Sequence, residues 1–398
     1  MILFIDIFVL AIAIGLLLPI GVLFVECSAA LLPDRVKVED RGGYQPQTVI
    51  LVPAHNEASG IGATLETLLP QLTDSERLVV IADNCTDETA AIARALGVTV
   101  LERHDRDRTG KGYALDYGLR AIEPNPPEVV VVIDADCIVE KGTIQRIARQ
   151  AMTLSRPVQA IYLMAQPPNP KPKDAVSALA FLVKNLVRPK GLARLGLPCL
   201  LTGTGMAFPW SVIKEASLAS SNIVEDMQLS VELAIKGQAP VFCFEAKVTS
   251  VFPQQEQAAK SQRTRWEHGH LQTLLTQAPK LLQASVHQKR FDLLGMALDL
   301  SVPPLSLLVM LWIAAILVSS LARILGATWI PAIVLAVEGL LILISIFGAW
   351  VQFGRADVSL TALLAVPFYV LWKIPLYVAF LLRPQREWMR TERDTVDT

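Results

Sequence analysis

The chain has 398 residues, 52% of them hydrophobic, and a formal net charge of −1. A mean hydropathy of +0.43 excludes an ordinary water-soluble protein and calls for membrane-spanning segments beside a globular part. The near-zero charge excludes a general electrostatic pull toward nucleic acid, so no such partner is expected. Five scattered cysteines with no C-x-x-C spacing argue against a disulfide framework or a zinc site and read as free thiols in a reducing compartment.

Residues 1–25 read as an N-terminal transmembrane helix: from Ile2 to Val25 the only charge is Asp6, and the run is long enough to cross a bilayer. A signal peptide would need a basic start and a shorter apolar core. Here the basic residues follow the run, at Arg35, Lys37 and Arg41, which puts the N-terminus outside and the next domain in the cytoplasm. Residues 26–46, with Pro33, Gly42, Gly43 and Pro46, read as a linker. From 47 to 250 a globular rhythm sets in. Strands are expected at 48–52, 77–82, 98–101 and 128–133, with helices at 61–72, 86–96 and 112–122 between them, the pattern of a mostly parallel sheet with crossover helices. Less regular elements follow: strands at 158–164 and 241–244, helices at 175–186 and 227–236, and a flexible glycine-bearing turn, Thr202-Gly203-Thr204-Gly205.

Residues 251–300 read as amphipathic or interfacial helices. In the membrane region 301–382, residues 301–321 and 329–350 are each long enough to span. A third segment, 360–382, contains Pro367, Lys373 and Pro375 and reads as interfacial or re-entrant. That reading keeps the basic tail, 383–398 with Arg383, Arg386, Arg390 and Arg393, on the cytoplasmic side.

Strand ends carry the chemistry. The apolar run 129–133 leads straight into Asp134-Ala135-Asp136. Hard cations such as Mg²⁺ take oxygen ligands and keep positions free for phosphate, although a solvated turn after a strand is equally common for aspartate. Two other expected strands end in Pro53-Ala54-His55-Asn56-Glu57 and in Asp83-Asn84. In a parallel sheet these ends share one edge and line one crevice. Lys111, flanked by Gly110 and Gly112 at a helix start, suits phosphate, with a solvated loop as the alternative. Glu225-Asp226 opens a helix, where acidic residues also suit the dipole. Gln262, Arg265 and Trp266 are spaced to share one helix face.

In this order Asp83, Asp134-Ala-Asp136, Glu225-Asp226 and Gln262-x-x-Arg265-Trp266, with Lys111 after the first, resemble the membrane-bound, processive glycosyltransferases of family 2. Cellulose, hyaluronan and poly-N-acetylglucosamine synthases belong there, and ceramide glucosyltransferases are similar. The likeness covers about residues 47–270 and the flanking spans. It implies a GT-A fold (α/β, Rossmann-like, mostly parallel sheet) in a cytoplasmic domain flanked by transmembrane helices. It also implies a nucleotide-diphosphate sugar donor, UDP-linked by expectation, Mg²⁺ or Mn²⁺ as cofactor, and inversion at the anomeric carbon.

Carried over residue by residue, the resemblance makes Asp226 the general base. Pro53, Glu57, Asp83, Lys111, Asp134, Gln262 and Arg265 are placed on the donor, and Gly203, Thr204, Glu225 and Trp266 toward the acceptor. Asp134 and Asp136 are the metal ligands. His268, which follows the last motif, reads by itself as either a third metal ligand or part of the helix surface. The turn at 202–205 departs from the Phe-x-Cys-Gly-Ser-like motif of cellulose synthases, which leaves acceptor and processivity open. The expected function is sugar transfer to a lipid-linked glycan or growing exopolysaccharide at the cytoplasmic face of the inner (plasma) membrane, by a multi-pass enzyme. Competing readings are a processive synthase subunit needing an export or accessory partner, and a membrane sugar-binding protein without catalysis. A transporter is disfavoured by the large globular part and by spans with few ionisable residues.

Overall fold

The computed structural model describes residues 2–33, 44–167, 170–219, 225–252 and 255–382. Most of the expected linker charges (Arg35, Lys37, Arg41) and the whole basic tail lie outside the described residues. The chain divides into two compact units. Among the described residues, one holds 2–33, 170–197 and 270–382, and the other 44–167, 198–219, 225–252 and 255–269.

The second unit is built on an eight-stranded sheet. Its strands are β1 (Thr48–Ala54), β2 (Glu76–Asp83), β3 (Thr99–Arg103), β4 (Val129–Val132), β5 (Ile138–Val139), β6 (Val158–Ala165), β7 (Met206–Pro209) and β8 (Val241–Val251). The spatial order is β3-β2-β1-β4-β7-β6-β8-β5. β1, β2, β3 and β4 are parallel neighbours, as the alternation of strands and helices predicts, and β6 runs parallel to β8. β7 is antiparallel to both β4 and β6, and β5 is antiparallel to β8. The sheet is therefore mixed, with four parallel and three antiparallel pairs, the parallel ones in the majority as expected. Antiparallel pairing is decided by tertiary contact and leaves no mark on the periodicity of a short strand. The two-residue β5 and the helix Thr143–Leu154 are elements the sequence reading lacked.

The core is apolar on both faces of the central strands. Ile50, Leu51, Val130 and Val131 are fully buried, and Leu115, Leu119 and Ile122 of the helix Lys111–Ile122 pack against one face. Gly118 of that helix lets it sit close to the sheet, because a Cβ there would lie 2.4 Å from Ile81 Cδ1.

The first unit is helical and includes the long apolar helices. Its N-terminal helix runs Ile2–Leu31, so residues 26–31, expected as linker, continue the helix; no glycine or proline lies between Val25 and Leu31 to stop it. It packs on the helices Ile330–Ala349, Leu305–Ile324 and Arg188–Arg194. Small residues permit these approaches: a Cβ at Gly191 would lie 2.0 Å from the Glu26 carbonyl oxygen, and one at Gly348 would lie 2.9 Å from Leu31 Cδ1. Asp6 accepts a hydrogen bond from the Thr328 amide at 2.8 Å, just before the helix Ile330–Ala349.

Residues 170–197, expected inside a continuous catalytic domain of 47–250, belong to this helical unit. They form the helix Pro172–Leu182, a π-helical turn Val183–Val187 and the helix Arg188–Arg194. Their buried residues, among them Leu179, Leu182, Val187 and Leu192, need an apolar partner. The long helix Glu256–Gln288 is followed by Phe291–Ser301. Among the described residues, four helical segments are long and apolar enough to cross a membrane: Phe4–Leu31, Leu305–Ile324, Ile330–Gly354 and Leu360–Leu382.

Candidate functional site

The carboxyl ends of β1, β2 and β4 lie side by side, with Ala54 paired to Ala82 and Leu51 to Val132. Three of the polar segments named above therefore meet at one edge of the sheet. The turn after β4 is fixed from several sides. The Ile133 amide donates to Leu51 O at 3.1 Å, Thr64 Oγ1 donates to Ala135 O at 2.8 Å, and Ser250 Oγ donates to Asp136 O at 3.1 Å.

Lys111 stands at the centre of the cluster. Its ammonium is paired with Asp134 and donates to the Gly203 carbonyl at 2.7 Å. Burial alone would lower its pKa, but Asp134, Glu225 and Asp226 outweigh that and raise it, so the side chain stays charged. Gly203 has φ +91°, and a Cβ there would lie 3.3 Å from Asp226 Oδ2 and 3.7 Å from Lys111 Nζ. The turn, the lysine and the expected base are thus in near contact, and Lys111, Gly203, Glu225 and Asp226 line one small cavity. The Glu225 carboxyl is pushed up to about 7, first by burial and then by the charge of Asp226, with Lys111 opposing. Asp226 Oδ1 accepts a hydrogen bond from the Met227 amide at 2.8 Å.

Thr204 behaves differently from the expectation that it meets an acceptor. It is fully buried, its Oγ1 accepts the Asp134 amide at 2.9 Å, and its hydroxyl lies 3.7 Å from Cys137 Sγ. It is committed to positioning Asp134.

Asp134, Asp136 and Cys137 bring ligand atoms within 4.8 Å of one another. The two carboxylates are partly exposed, and their hard oxygens suit Mg²⁺ or Mn²⁺. Cys137 is buried, and its thiol is held well above its ordinary pKa by burial and then by Asp136 and Asp134. A protonated thiol is a poor ligand; it points instead toward Asp136 Oδ1 at 3.7 Å. Among the described residues His268 is not part of this group; it is a buried residue of the Glu256–Gln288 helix.

Asp83 is held by a residue the sequence reading missed. Arg103, at the end of β3, donates from one nitrogen to Asp83 Oδ1 at 2.6 Å and from another to Asp105 Oδ2 at 3.0 Å and the Arg108 carbonyl at 2.7 Å. It ties the end of β2 to the loop that leads into Lys111. Asn84 Nδ2 adds a hydrogen bond to Asp83 Oδ1 at 3.1 Å. Burial raises the Asp83 pKa against the opposing pull of Arg103. The only sequence signal for Arg103 was its place at a strand end beside β2. Glu57 is buried, and its carbonyl accepts the Gly60 and Ile61 amides at the start of the helix Ile61–Leu68. Pro53 sits within β1, opposite Ile81. Gln262, Arg265 and Trp266 all lie on the Glu256–Gln288 helix, as their spacing requires; Gln262 is buried, and Arg265 and Trp266 are partly exposed.

Residues 46–269 match the family described as Glycosyltransferase like family 2. The chain is 27% identical over 128 residues to a 4,4'-diaponeurosporenoate glycosyltransferase of Staphylococcus aureus (strain bovine RF122 / ET3-1), covering 31% of this chain and 34% of the relative. It is 30% identical over 103 residues to the protein of the same name from strain MRSA252, covering 25% of this chain and 27% of that one. The matches thus span about a third or less of these relatives' lengths. A mannosyltransferase from Pyrobaculum calidifontis, solved with GDP-Man and Mn²⁺, is similar in fold, with a TM-score of 0.57 at 19% identity, covering 92% of this chain and 99% of that one.

Proposed function

The chain belongs to glycosyltransferase family 2, with a GT-A fold beside membrane-type helices, and from that premise we propose that it is an inverting, metal-dependent transferase. It moves a sugar from a nucleotide-diphosphate sugar to a lipid-linked glycan or growing exopolysaccharide. The observation that carries this reading is the meeting of Lys111, Asp134, Gly203 and Asp226, from four separate segments, at the sheet edge.

Each residue then has a task. Asp83, held by Arg103, accepts a hydrogen bond from a base N–H, which both uracil and guanine offer. UDP is our first choice of nucleotide; the mannosyltransferase similar in fold was solved with GDP-Man. Asp134 and Asp136 hold Mg²⁺ or Mn²⁺, and the ion when bound neutralises charge on the leaving diphosphate. Lys111 adds a fixed positive charge beside it. Asp226 takes the proton of the acceptor hydroxyl as that oxygen bonds to the anomeric carbon and the bond from that carbon to the diphosphate oxygen breaks. Glu225 and Gly203 shape the acceptor side, Arg265 clamps diphosphate oxygens, Gln262 supports the donor, and Trp266 offers a flat face to a sugar ring. Glu57 and Pro53 form the turn beside the nucleoside.

The apolar helices support a multi-pass enzyme of the inner (plasma) membrane with its catalytic unit in the cytoplasm, where nucleotide sugars are made available. Leu360–Leu382 meets the length criterion for a span, yet Lys373 and two prolines favour an interfacial or re-entrant course. A cysteine at position 398 labelled only from outside would overturn that course. A processive subunit with an export partner is distinguished by a product ladder in place of a single added sugar.

The test is release of nucleotide diphosphate by purified protein across a panel of nucleotide sugars. One donor is expected to turn over, with loss in EDTA and recovery with Mg²⁺ or Mn²⁺. The Asp226→Asn protein should retain donor binding and lose transfer. Absence of turnover with every donor would favour a sugar-binding protein, and near-normal transfer by Asp226→Asn would remove the base assignment.

A further inference from the structure

Within the helical unit, the N-terminal helix and the segments around Arg188–Arg194 and Phe291–Ser301 enclose a groove of about 510 Å³. Its walls are almost wholly apolar, with Leu17, Gly21, Val25, Leu192, Leu195 and Leu298 among them. One polar residue lines it, Glu26. Gly21 faces open space, with nothing within 4 Å of where its Cβ would stand.

Glu26 belongs to a buried ionic trio that joins three helices. Arg188 donates through Nε to Glu26 Oε2 at 2.7 Å, and through a terminal nitrogen to Asp299 Oδ1 and to the Asp299 carbonyl, each at 2.6 Å. Glu26 is 2% exposed, and Arg188 and Asp299 are each 6% exposed. Two carboxylates share one guanidinium, whose Nε and one terminal nitrogen are taken by Glu26 Oε2 and by Asp299. Glu26 Oε1 is the atom left over: it is buried and accepts no hydrogen bond from any described residue. A buried acceptor without a donor is costly, and a ligand that supplies the donor removes that cost.

We propose that this groove binds a lipid alcohol, with its hydrocarbon chain along Leu17, Gly21 and Leu192 and its hydroxyl donating to Glu26 Oε1. The wall helix is one of the segments apolar enough to lie in a bilayer, so a hydrocarbon chain is the occupant its surroundings supply. A neutral hydroxyl fits the polar end better than an ammonium. Arg188 already brings a cation to Glu26, and a second buried charge would be desolvated beside the first. The site lies wholly in the helical unit and stands apart from the sugar-transfer reading, because its test reads binding alone.

The experiment uses the full chain in detergent micelles and a photoactivatable fatty alcohol. Illumination is expected to label peptides spanning residues 14–26. Unlabelled alcohol should compete for this labelling, while an alkane of equal length should compete far less. Gly21→Leu places a side chain in the open groove and should cut labelling by about tenfold, the lower end of an overpacking cost. Gly15→Leu, on the same helix, exposed and likewise facing open space, should label as wild type. Equal competition by the alkane would overturn the role of Glu26. Undiminished labelling of Gly21→Leu would overturn the groove, and the competition on wild-type protein keeps the test decisive if that variant folds poorly.

Discussion

The ammonium of Lys111 is ion-paired with the carboxylate of Asp134 and donates at 2.7 Å to the carbonyl of Gly203. A single cation thus joins the end of β4 to the glycine turn and stands close to Asp226. With three carboxylates raising its pKa against burial, it is a permanent positive charge where a diphosphate would gather negative charge. Lys111→Met is expected to lower kcat/KM by about 10²–10³-fold, the scale of losing a preorganised electrostatic group. Nucleotide diphosphate release, measured at saturating metal, reads this directly. A variant within a factor of a few of wild type would show that the lysine only stabilises the turn.

The Glu225–Asp226 pair should give the enzyme an acidic limb. With Glu225 pushed up to about 7 by burial and by Asp226, activity should rise as pH passes through about 7, as the pair gives up its last proton. In Glu225→Gln this limb should move to lower pH. Stability should change in a matching sense. Above about 7 the Glu225 carboxylate is charged in both folded and unfolded protein, and burying that charge costs stability. Below its ordinary value of 4.5 it is protonated in both states and the cost vanishes. Glu225→Gln should therefore raise Tm at pH 8 and leave it little changed at pH 4. An equal gain at both pH values would refute the buried-charge account.

Arg103 should act on donor binding rather than on the chemical step. It opposes the rise that burial imposes on Asp83 and anchors the loop before Lys111. Arg103→Met should raise the donor KM about tenfold or more, in line with about 1.5–3 kcal/mol for a hydrogen bond to a charged group. It should also carry the pH dependence of donor binding upward, because Asp83 would then hold its proton to higher pH. A fall in kcat with an unchanged KM would place Arg103 elsewhere in the mechanism.

At Gly203 the backbone itself is the constraint. Alanine there must adopt φ +91° and bring its Cβ to 3.3 Å from Asp226 Oδ2, at a cost of about 1–3 kcal/mol. Gly203→Ala should lose most transfer activity with only a modest fall in Tm. Gly62→Ala, inside the helix Ile61–Leu68 with its nearest contact at 3.9 Å, should keep activity and gain a little stability. Loss of activity in the Gly62 variant would point to general fragility instead.

Local pattern determined a large part of this protein. Strand runs such as residues 48–52 and 129–132, the helix after Lys111 and the long apolar segments are written in the spacing of side chains, because burial on a sheet face, a helix stripe or a bilayer each imposes its own period. Asp83 and Asp134 were legible because parallel strands bring their carboxyl ends to a common edge.

What only the tertiary structure decided is how distant segments meet. The antiparallel insertion of β7 between β4 and β6, the transfer of residues 170–197 to the helical unit, and the commitment of Thr204 to the Asp134 amide leave no periodic trace. The same holds for Arg103 beneath Asp83 and for Arg188 between Glu26 and Asp299. Such partners lie from 20 to 162 residues apart. Their pairing is fixed by which buried charges must be compensated once the chain has folded, and a local pattern cannot register that requirement.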